Sequence, residues 1–95
     1  MPAVTVDQVF VALADANRRQ LLETLASGGS ASASVLALQM PISRQAITKH
    51  LRVLERAGLV QRVRHGKEVQ FSAHAPQLAA TGRWLQRLAH RWASA

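Results

Sequence analysis

The sequence contains no cysteine, few aromatic residues and few acidic residues. Without cysteine the chain cannot form disulfides, thiolate metal sites or a thiol redox switch. No apolar run approaches the ~20 residues that a membrane-spanning helix needs. The first residues, MPAVTVDQ, lack the basic stretch and apolar core of a secretion signal. We therefore expect a cytoplasmic protein.

The scarcity of acids leaves a large excess of positive charge. Twelve lysines and arginines face five acids, which gives a formal net charge of +7 over 95 residues. Because 48% of the residues are hydrophobic, the chain is too apolar for a disordered basic tail. We expect one small domain over residues 1–95 whose partner is a polyanion, either nucleic acid or an acidic membrane surface. With no recognisable set of nucleophile, base and orienting group, we expect neither an enzyme nor a cofactor.

The most informative stretch is SRQAITKHLRVLERAGLV, from Ser43 to Val60. Its apolar residues have helical spacing, a serine precedes them and Gly58 ends the pattern, so an amphipathic helix is predicted. The apolar side holds Ile47, Leu51 and Leu54. His50 lies beside them, which favours a packed or backbone-bonded histidine over one that contacts bases. The opposite side holds residue types that hydrogen-bond base edges and phosphates: Arg44, Gln45, Thr48, Lys49, Arg52 and Arg56.

A solvated charged face is the alternative interpretation of this helix, since most surface helices have one. Such a face usually mixes both signs, whereas this helix carries four cations and only Glu55 as an acid. The imbalance favours a DNA-recognition helix.

Two helices are predicted upstream of this stretch. The first runs over about 5–14, where Thr5 and Gln8 form a plausible capping box. The second covers 18–26 and can be capped by either Asp15 or Asn17. The Ser-Gly-Gly-Ser run at 27–30 ends it and is taken as an ordinary turn.

A third, short helix is predicted within 32–40, with Ser32 or Ser34 as its cap. Pro41 forbids its continuation, because proline removes a backbone donor and restricts Met40. The chain therefore turns within a few residues and enters the next helix at Ser43. Two helices joined in this way form a helix-turn-helix, with the second helix in the position that enters the major groove.

After Gly58 the pattern alternates, which predicts a β-hairpin of strands 59–64 and 67–72 around His65-Gly66. An isolated hairpin is marginal in water, so this one must pack on the helices through Val60, Val69 and Phe71. Its tip carries Arg62, Arg64, His65 and Lys67. The tip is either a solubilising charged edge or a wing that contacts the DNA backbone or minor groove. Since seven of the twelve lysines and arginines lie between residues 44 and 67, the wing is favoured.

The segment from Pro76 onward predicts a long terminal helix, with arginines at 83, 87 and 91 on one side. A winged helix-turn-helix of ~60 residues cannot bury the apolar faces of both the first and the last helix. Pairing of two chains through about 5–14 and 76–93 would bury them and set two recognition helices one DNA turn apart. The predicted dimer interface comprises Val6, Val9, Phe10, Leu13, Leu78, Leu85, Leu88 and Trp92.

The block PISRQAITKHLRVLERAGLV, preceded by VFVALADANRRQLLETLA and followed by VRHGKEVQFS, resembles the ArsR/SmtB family of bacterial winged-helix repressors. The resemblance extends from about Val9 to Trp92. It implies a mainly α fold with a small β-hairpin, about five helices and a two-stranded wing, in a homodimeric repressor released from its operator by a ligand or modification. By position it implies DNA contacts from Ser43, Arg44, Gln45, Thr48 and Lys49, and wing contacts from Arg62, Arg64 and Lys67; Arg52 joins the first group through its place on the helix.

The chain departs from the metal-sensing members of that family. Arsenic and cadmium sensors place cysteines on the first helix of the motif, where this sequence has residues 33–40 and no thiol. Zinc and nickel sensors use acids and histidines on the last helix, where this sequence offers only His90. The sequence resembles a metal-independent branch of the family, and we predict no metal site.

These observations predict a sequence-specific, homodimeric repressor that binds a palindromic operator in double-stranded DNA, with an inducer that the sequence does not identify and without a membrane partner. Two other classes share some of its features. A non-specific architectural DNA-binding protein would have the basic face but no sequence preference. A winged-helix protein-interaction module would lack the concentrated cationic face.

Overall fold

Side-chain caps mark where the first four helices begin in the computed structural model, which describes residues 4–94. Helix α1 (Val6–Leu13) begins at the predicted capping box. The backbone N–H of Gln8 donates to the Thr5 hydroxyl at 3.2 Å, and the N–H of Thr5 donates to Gln8 Oε1 at 2.8 Å. Helix α2 (Ala16–Gly28) begins at Asp15, so this residue is the cap rather than Asn17.

The predicted recognition helix, α4 (Arg44–Arg56), begins and ends where the sequence predicts. The Ser43 hydroxyl accepts from the backbone N–H of Ala46 at 3.1 Å. At the other end Gly58 adopts a φ of 74°, a left-handed conformation that glycine adopts at little cost. The N–H groups of Gly58 and Leu59 then donate to the carbonyls of Glu55 and Leu54 at 3.0 and 2.9 Å, which closes the helix in a Schellman motif.

Helix α3 (Ala33–Ala37) is shorter than the predicted 32–40. Ser32 caps it, since its hydroxyl accepts from the N–H of Val35 at 3.2 Å. The N–H groups of Leu38 and Gln39 bond to carbonyls three residues back, at 3.1 and 3.0 Å, which ends the helix in a tight turn before Pro41. The helix-turn-helix is therefore confirmed, with a longer turn than the sequence predicts.

The wing strands are β2 (Val60–His65) and β3 (Glu68–Ala73), which form the predicted two-stranded wing, and the sheet has one further strand that the sequence does not predict. A short strand β1 (Ala31–Ser32) pairs with β3, so the described sheet has three antiparallel strands in the order β1-β3-β2. A strand of only two residues, Ala31 and Ser32, is too short to show the alternating pattern from which strands are predicted.

The hairpin turn lies one residue later than predicted. His65 pairs with Glu68, so the two loop residues are Gly66 and Lys67. Gly66 has a positive φ of 62° and Lys67 does not. A type II′ turn requires a positive φ at the first of its two central residues only.

The core lies between the first four helices and the sheet. Its fully buried large side chains come from α1, α2, α3, α4 and the loop before β2: Val9, Leu21, Leu25, Leu36, Ile47, Leu51, Leu54 and Leu59. Val60 and Phe71 are also buried and hold the wing against the helices, as predicted. Because full burial of each leucine or isoleucine is worth about 1.5 to 3 kcal/mol, this cluster fixes the orientation of α4.

Helix α5 (Ala75–Ser94) contributes little to the core. It meets α1 where the Phe10 and Trp84 rings form an edge-to-face pair with centroids 6.0 Å apart. The radius of gyration, 14.7 Å, exceeds the ~12 Å expected for a compact domain of this length. The helix is therefore exposed along most of its length. Across residues 4–94 we find no helix with the length and apolarity to cross a membrane.

Candidate nucleic-acid interface

The packing of α4 directs its cationic face outward. Ile47, Leu51 and Leu54 are all 0% exposed, which turns the opposite side of the helix to the surface. The predicted DNA-contacting side chains of α4 lie together there: Arg44, Gln45, Lys49 and Arg52 are exposed and Thr48 is half-buried. A major groove is wide enough to admit one α-helix, so side chains on this face can reach base edges and phosphates.

Two of the predicted contacts have roles within the helix. The Ser43 hydroxyl is occupied as the N-cap, and the Thr48 hydroxyl donates to the carbonyl of Arg44 at 3.0 Å. A hydroxyl oxygen retains acceptor capacity in such bonds. The free donors of this face are therefore its cations, the amide of Gln45 and the Ser43 hydroxyl, whose cap bond uses its oxygen only as an acceptor.

A concave surface connects α4 to the wing, and we call it the helix-wing cleft. Its volume is about 640 Å³. Its walls carry Arg44, Thr48, Arg52, Arg62 and Lys67, and Val69 and Phe71 are among its apolar lining residues. The fold thus brings cations from α4 and from the hairpin turn, which the sequence separates by 15 or more residues, to one surface.

The predicted wing residues differ in whether their side chains have hydrogen-bond or ion-pair partners within the chain. Arg64 and Lys67 are exposed, and within the described chain neither makes a side-chain hydrogen bond or ion pair. Arg62 instead donates from Nε to Glu55 Oε2 and from Nη2 to Oε1, both at 2.9 Å. The hydrogen bonds from Arg62 to Glu55 raise the pKa of Arg62 above its ordinary value. The guanidinium carbon also lies 5.8 Å from the centre of the Phe71 ring.

His50 lies on the inner side of α4, as the sequence indicates. Its partner is Arg18 of α2, whose Nη1 lies 3.3 Å from His50 Nδ1. Because a guanidinium only donates, this contact requires an Nδ1 without a proton. Arg18 also donates to the carbonyls of Ala12 and Val11 at 2.6 and 3.1 Å, so it ties the end of α1 to α4. The sequence holds no local signal for this role, because Arg18 and His50 are 32 residues apart.

The terminal helices leave a large apolar surface uncovered, which we call the apolar terminal face. It comprises Phe10, Leu78, Trp84, Leu85, Leu88 and Trp92, which are between 36% and 80% exposed. Val6 and Leu13 are half-buried. Val9 was predicted at a dimer interface, but it is 0% exposed in the core of its own chain, so its side chain has no surface to offer a partner. Helical periodicity does not distinguish these two kinds of burial.

Residues 4–94 contain no group of three or more histidines, cysteines or acids close enough together to hold a metal ion. The outer face of α4 and the helix-wing cleft present guanidinium, ammonium, amide and hydroxyl groups, and the carboxylate of Glu68 also lines the cleft. A winged helix-turn-helix with this cationic face has the architecture of a DNA-binding transcriptional regulator.

Comparison with known proteins agrees with this architecture. Residues 13–63 match the helix-turn-helix domain model. The chain is 30% identical over 80 residues to the transcriptional repressor SdpR of Bacillus subtilis, across 84% of this chain and 88% of that protein. An ArsR-like transcriptional regulator from Rhodococcus sp. RHA1 superimposes with a TM-score of 0.84 at 40% identity, covering 94% of this chain and 83% of that one.

A second similar structure is the homodimeric winged helix-turn-helix DNA-binding domain from Mycobacterium bovis, described as a possible ArsR-family regulator. Its TM-score is 0.72 at 26% identity, with 90% of this chain and 78% of that one covered. The chain belongs to the ArsR-like family of helix-turn-helix transcriptional regulators, and it is a DNA-binding regulator.

Proposed function

We propose that the protein is a homodimeric repressor that binds a palindromic operator. The observation that carries the proposal is the concentration of free cations on one surface, formed by α4 and the tip of the wing. Helix α4 enters the major groove, where Arg44 and Gln45, in its first turn, hydrogen-bond base edges. Thr48, Lys49 and Arg52 hold the adjacent backbone.

The wing lies beside the groove that α4 reads. Arg64 and Lys67 at its tip contact phosphates there or in the neighbouring minor groove. Contacts of this kind add affinity for any sequence, whereas the contacts from α4 select the operator.

Dimerisation through the terminal helices supports the palindromic site. The apolar terminal face is at the upper end of the about 300 to 600 Å² that the largest apolar patch of a monomer covers, a size that often marks an interaction site, and a second copy of the chain would cover it. A two-fold axis through this interface places two α4 helices on successive turns of one DNA face. The homodimeric state of the M. bovis domain is consistent with this arrangement, and the repressor activity of SdpR with the regulatory role.

We propose further that the protein acts in the cytoplasm, associated with the nucleoid when bound to DNA, and that it has no catalytic activity. The described surface presents cations without a nucleophile and base set beside them.

Selection of genomic DNA fragments by the purified protein tests this function. We expect recovered fragments to share an inverted repeat with half-sites about 10 base pairs apart, centre to centre. Fragments without a common motif would indicate an architectural protein, and failure to retain duplex DNA even at low salt would indicate a protein-interaction module.

A further inference from the structure

The guanidinium of Arg62 is fixed on two sides by its own chain. Its two hydrogen bonds to Glu55, both 2.9 Å, occupy one edge of the group in the fork-to-fork arrangement that holds both side chains in plane. Its face lies over the ring of Phe71, 5.8 Å away. Phe71 is the cross-strand partner of Arg62 and is only 7% exposed, so the ring itself cannot move freely.

The two partners of this ion pair belong to different halves of the DNA interface. Glu55 lies in the last turn of α4, and Arg62 lies in β2 of the wing. The chain between them contains the Gly58 turn, where the direction of the backbone changes. A bidentate pair across this turn therefore restrains the angle between the recognition helix and the wing.

Arg64 provides a natural contrast two residues further along β2. Alternate residues of a strand share a face, so Arg64 and Arg62 project to the same side of the sheet. Arg64 is exposed and has no hydrogen bond or ion pair to another described residue. Two arginines on the same face of β2 therefore differ: Arg62 is paired with Glu55, whereas Arg64 has no such partner among the described residues.

We propose that Arg62 is a positioning residue rather than a phosphate contact, and that its pair with Glu55 sets the angle at which the wing meets DNA. The charge of Arg62 is neutralised by Glu55, so the pair releases no counterions when DNA binds. The pair holds Arg64 and Lys67 close to the DNA backbone while α4 occupies the major groove. The inference rests on the proposed DNA interface and assigns one predicted wing contact a different role.

Salt titrations of DNA binding separate the two roles. The probe is a random-sequence DNA duplex, and the proteins are the wild type, Glu55→Gln, Arg62→Gln, Arg62→Lys, the double variant Glu55→Gln with Arg62→Gln, and Arg64→Gln as the matched control. The slope of log K against log [salt] becomes shallower by about 0.9 for each phosphate that the protein no longer neutralises. We expect this full change, per protomer, for Arg64→Gln, and a smaller one for Arg62→Gln, because Arg62 neutralises no phosphate itself and its loss only loosens the contacts of Arg64 and Lys67.

The sign of the Glu55→Gln effect is the sharpest discriminator. If Glu55 holds the wing in place, its removal weakens binding by roughly two- to five-fold, as expected for a partly exposed ion pair. The double variant should then be no weaker than Arg62→Gln alone, because both changes break the same pair. Arg62→Lys should weaken DNA binding to about the same extent as Arg62→Gln, since an ammonium cannot form the two parallel hydrogen bonds of the guanidinium.

The opposite results would overturn the proposal. If Arg62 contacts phosphate, Arg62→Gln lowers the salt slope as Arg64→Gln does, Arg62→Lys retains affinity, and Glu55→Gln tightens binding by removing a negative charge near DNA. Wild-type affinity in every Arg62 and Glu55 variant would overturn it as well. Absence of salt-dependent binding by the wild type itself would instead contradict the proposed function. Thermal unfolding of each variant shows that the folded protein is being compared.

Discussion

Substitution of Leu85 by lysine should convert the proposed dimer into monomers. Leu85 lies on α5 within the apolar terminal face and is 45% exposed in the single chain. The six side chains of that face leave on the order of 600 Å² per protomer uncovered, close to the ~800 Å² that each partner buries in an interface of standard size. Trp92, which is 80% exposed, accounts for the largest share.

The magnitude follows from the environment of Leu85. Burying the exposed half of a leucine is worth about 1 kcal/mol. Placing an ammonium at the same position adds about 2 kcal/mol after allowance for its flexible stem, which lets the charge reach the rim. Because the substitution occurs in both protomers, the total is about 6 kcal/mol, which raises the dimer dissociation constant by on the order of 10⁴-fold.

Sedimentation equilibrium at micromolar concentration measures this change. Leu38→Lys is the matched control, since Leu38 is 86% exposed but lies at the end of α3, away from the terminal helices. We expect Leu85→Lys to sediment as a monomer with wild-type circular dichroism, and Leu38→Lys to remain dimeric. A dimeric Leu85→Lys protein would refute the assignment of the interface to α5.

Three further results are expected. Arg44→Ala and Gln45→Ala should each weaken binding to the selected operator by about 1 to 3 kcal/mol in titrations, with unchanged thermal unfolding, and unaltered affinity would show that α4 does not read the bases. Leu51→Ala should lower the free energy of unfolding by about 2 to 5 kcal/mol in urea, because its side chain is 0% exposed, whereas a decrease below about 1 kcal/mol would contradict the packing of α4. The pKa of Asp15 is lowered, first by the hydrogen bond from the backbone N–H of Arg18, so its carboxylate stabilises the fold above the unfolded pKa of about 4 and loses this effect as pH falls through the lower folded value. The difference in melting temperature between wild type and Asp15→Asn should therefore shrink on acidification, and a pH-independent difference would contradict this role.

The features that the sequence predicts correctly are those whose signals lie close together along the chain. The beginning of α4 at Ser43, its buried face and its end at Gly58 depend on interactions within one helix and its caps. The same holds for the capping box of α1 and for the hairpin. Local chemistry therefore suffices for the helix-turn-helix.

The features that the sequence does not predict depend on contacts between distant residues. Strand β1 exists because Ala31 meets Phe71 across the sheet, and the contact of Arg18 with His50 crosses from α2 to α4. Neither partner carries a pattern that points to the other. Val9 shows a different limit, because an apolar residue at helical spacing looks the same whether it faces its own core or a second chain.

In the proposed function, the cationic face of α4 selects a DNA sequence in the context of a dimer. Competition between the selected inverted repeat and a random-sequence duplex at physiological salt tests it most directly. We predict that the inverted repeat is bound at least about 10³-fold more tightly, the lower end of the range for specific regulators. Equal affinity for the two duplexes would contradict it.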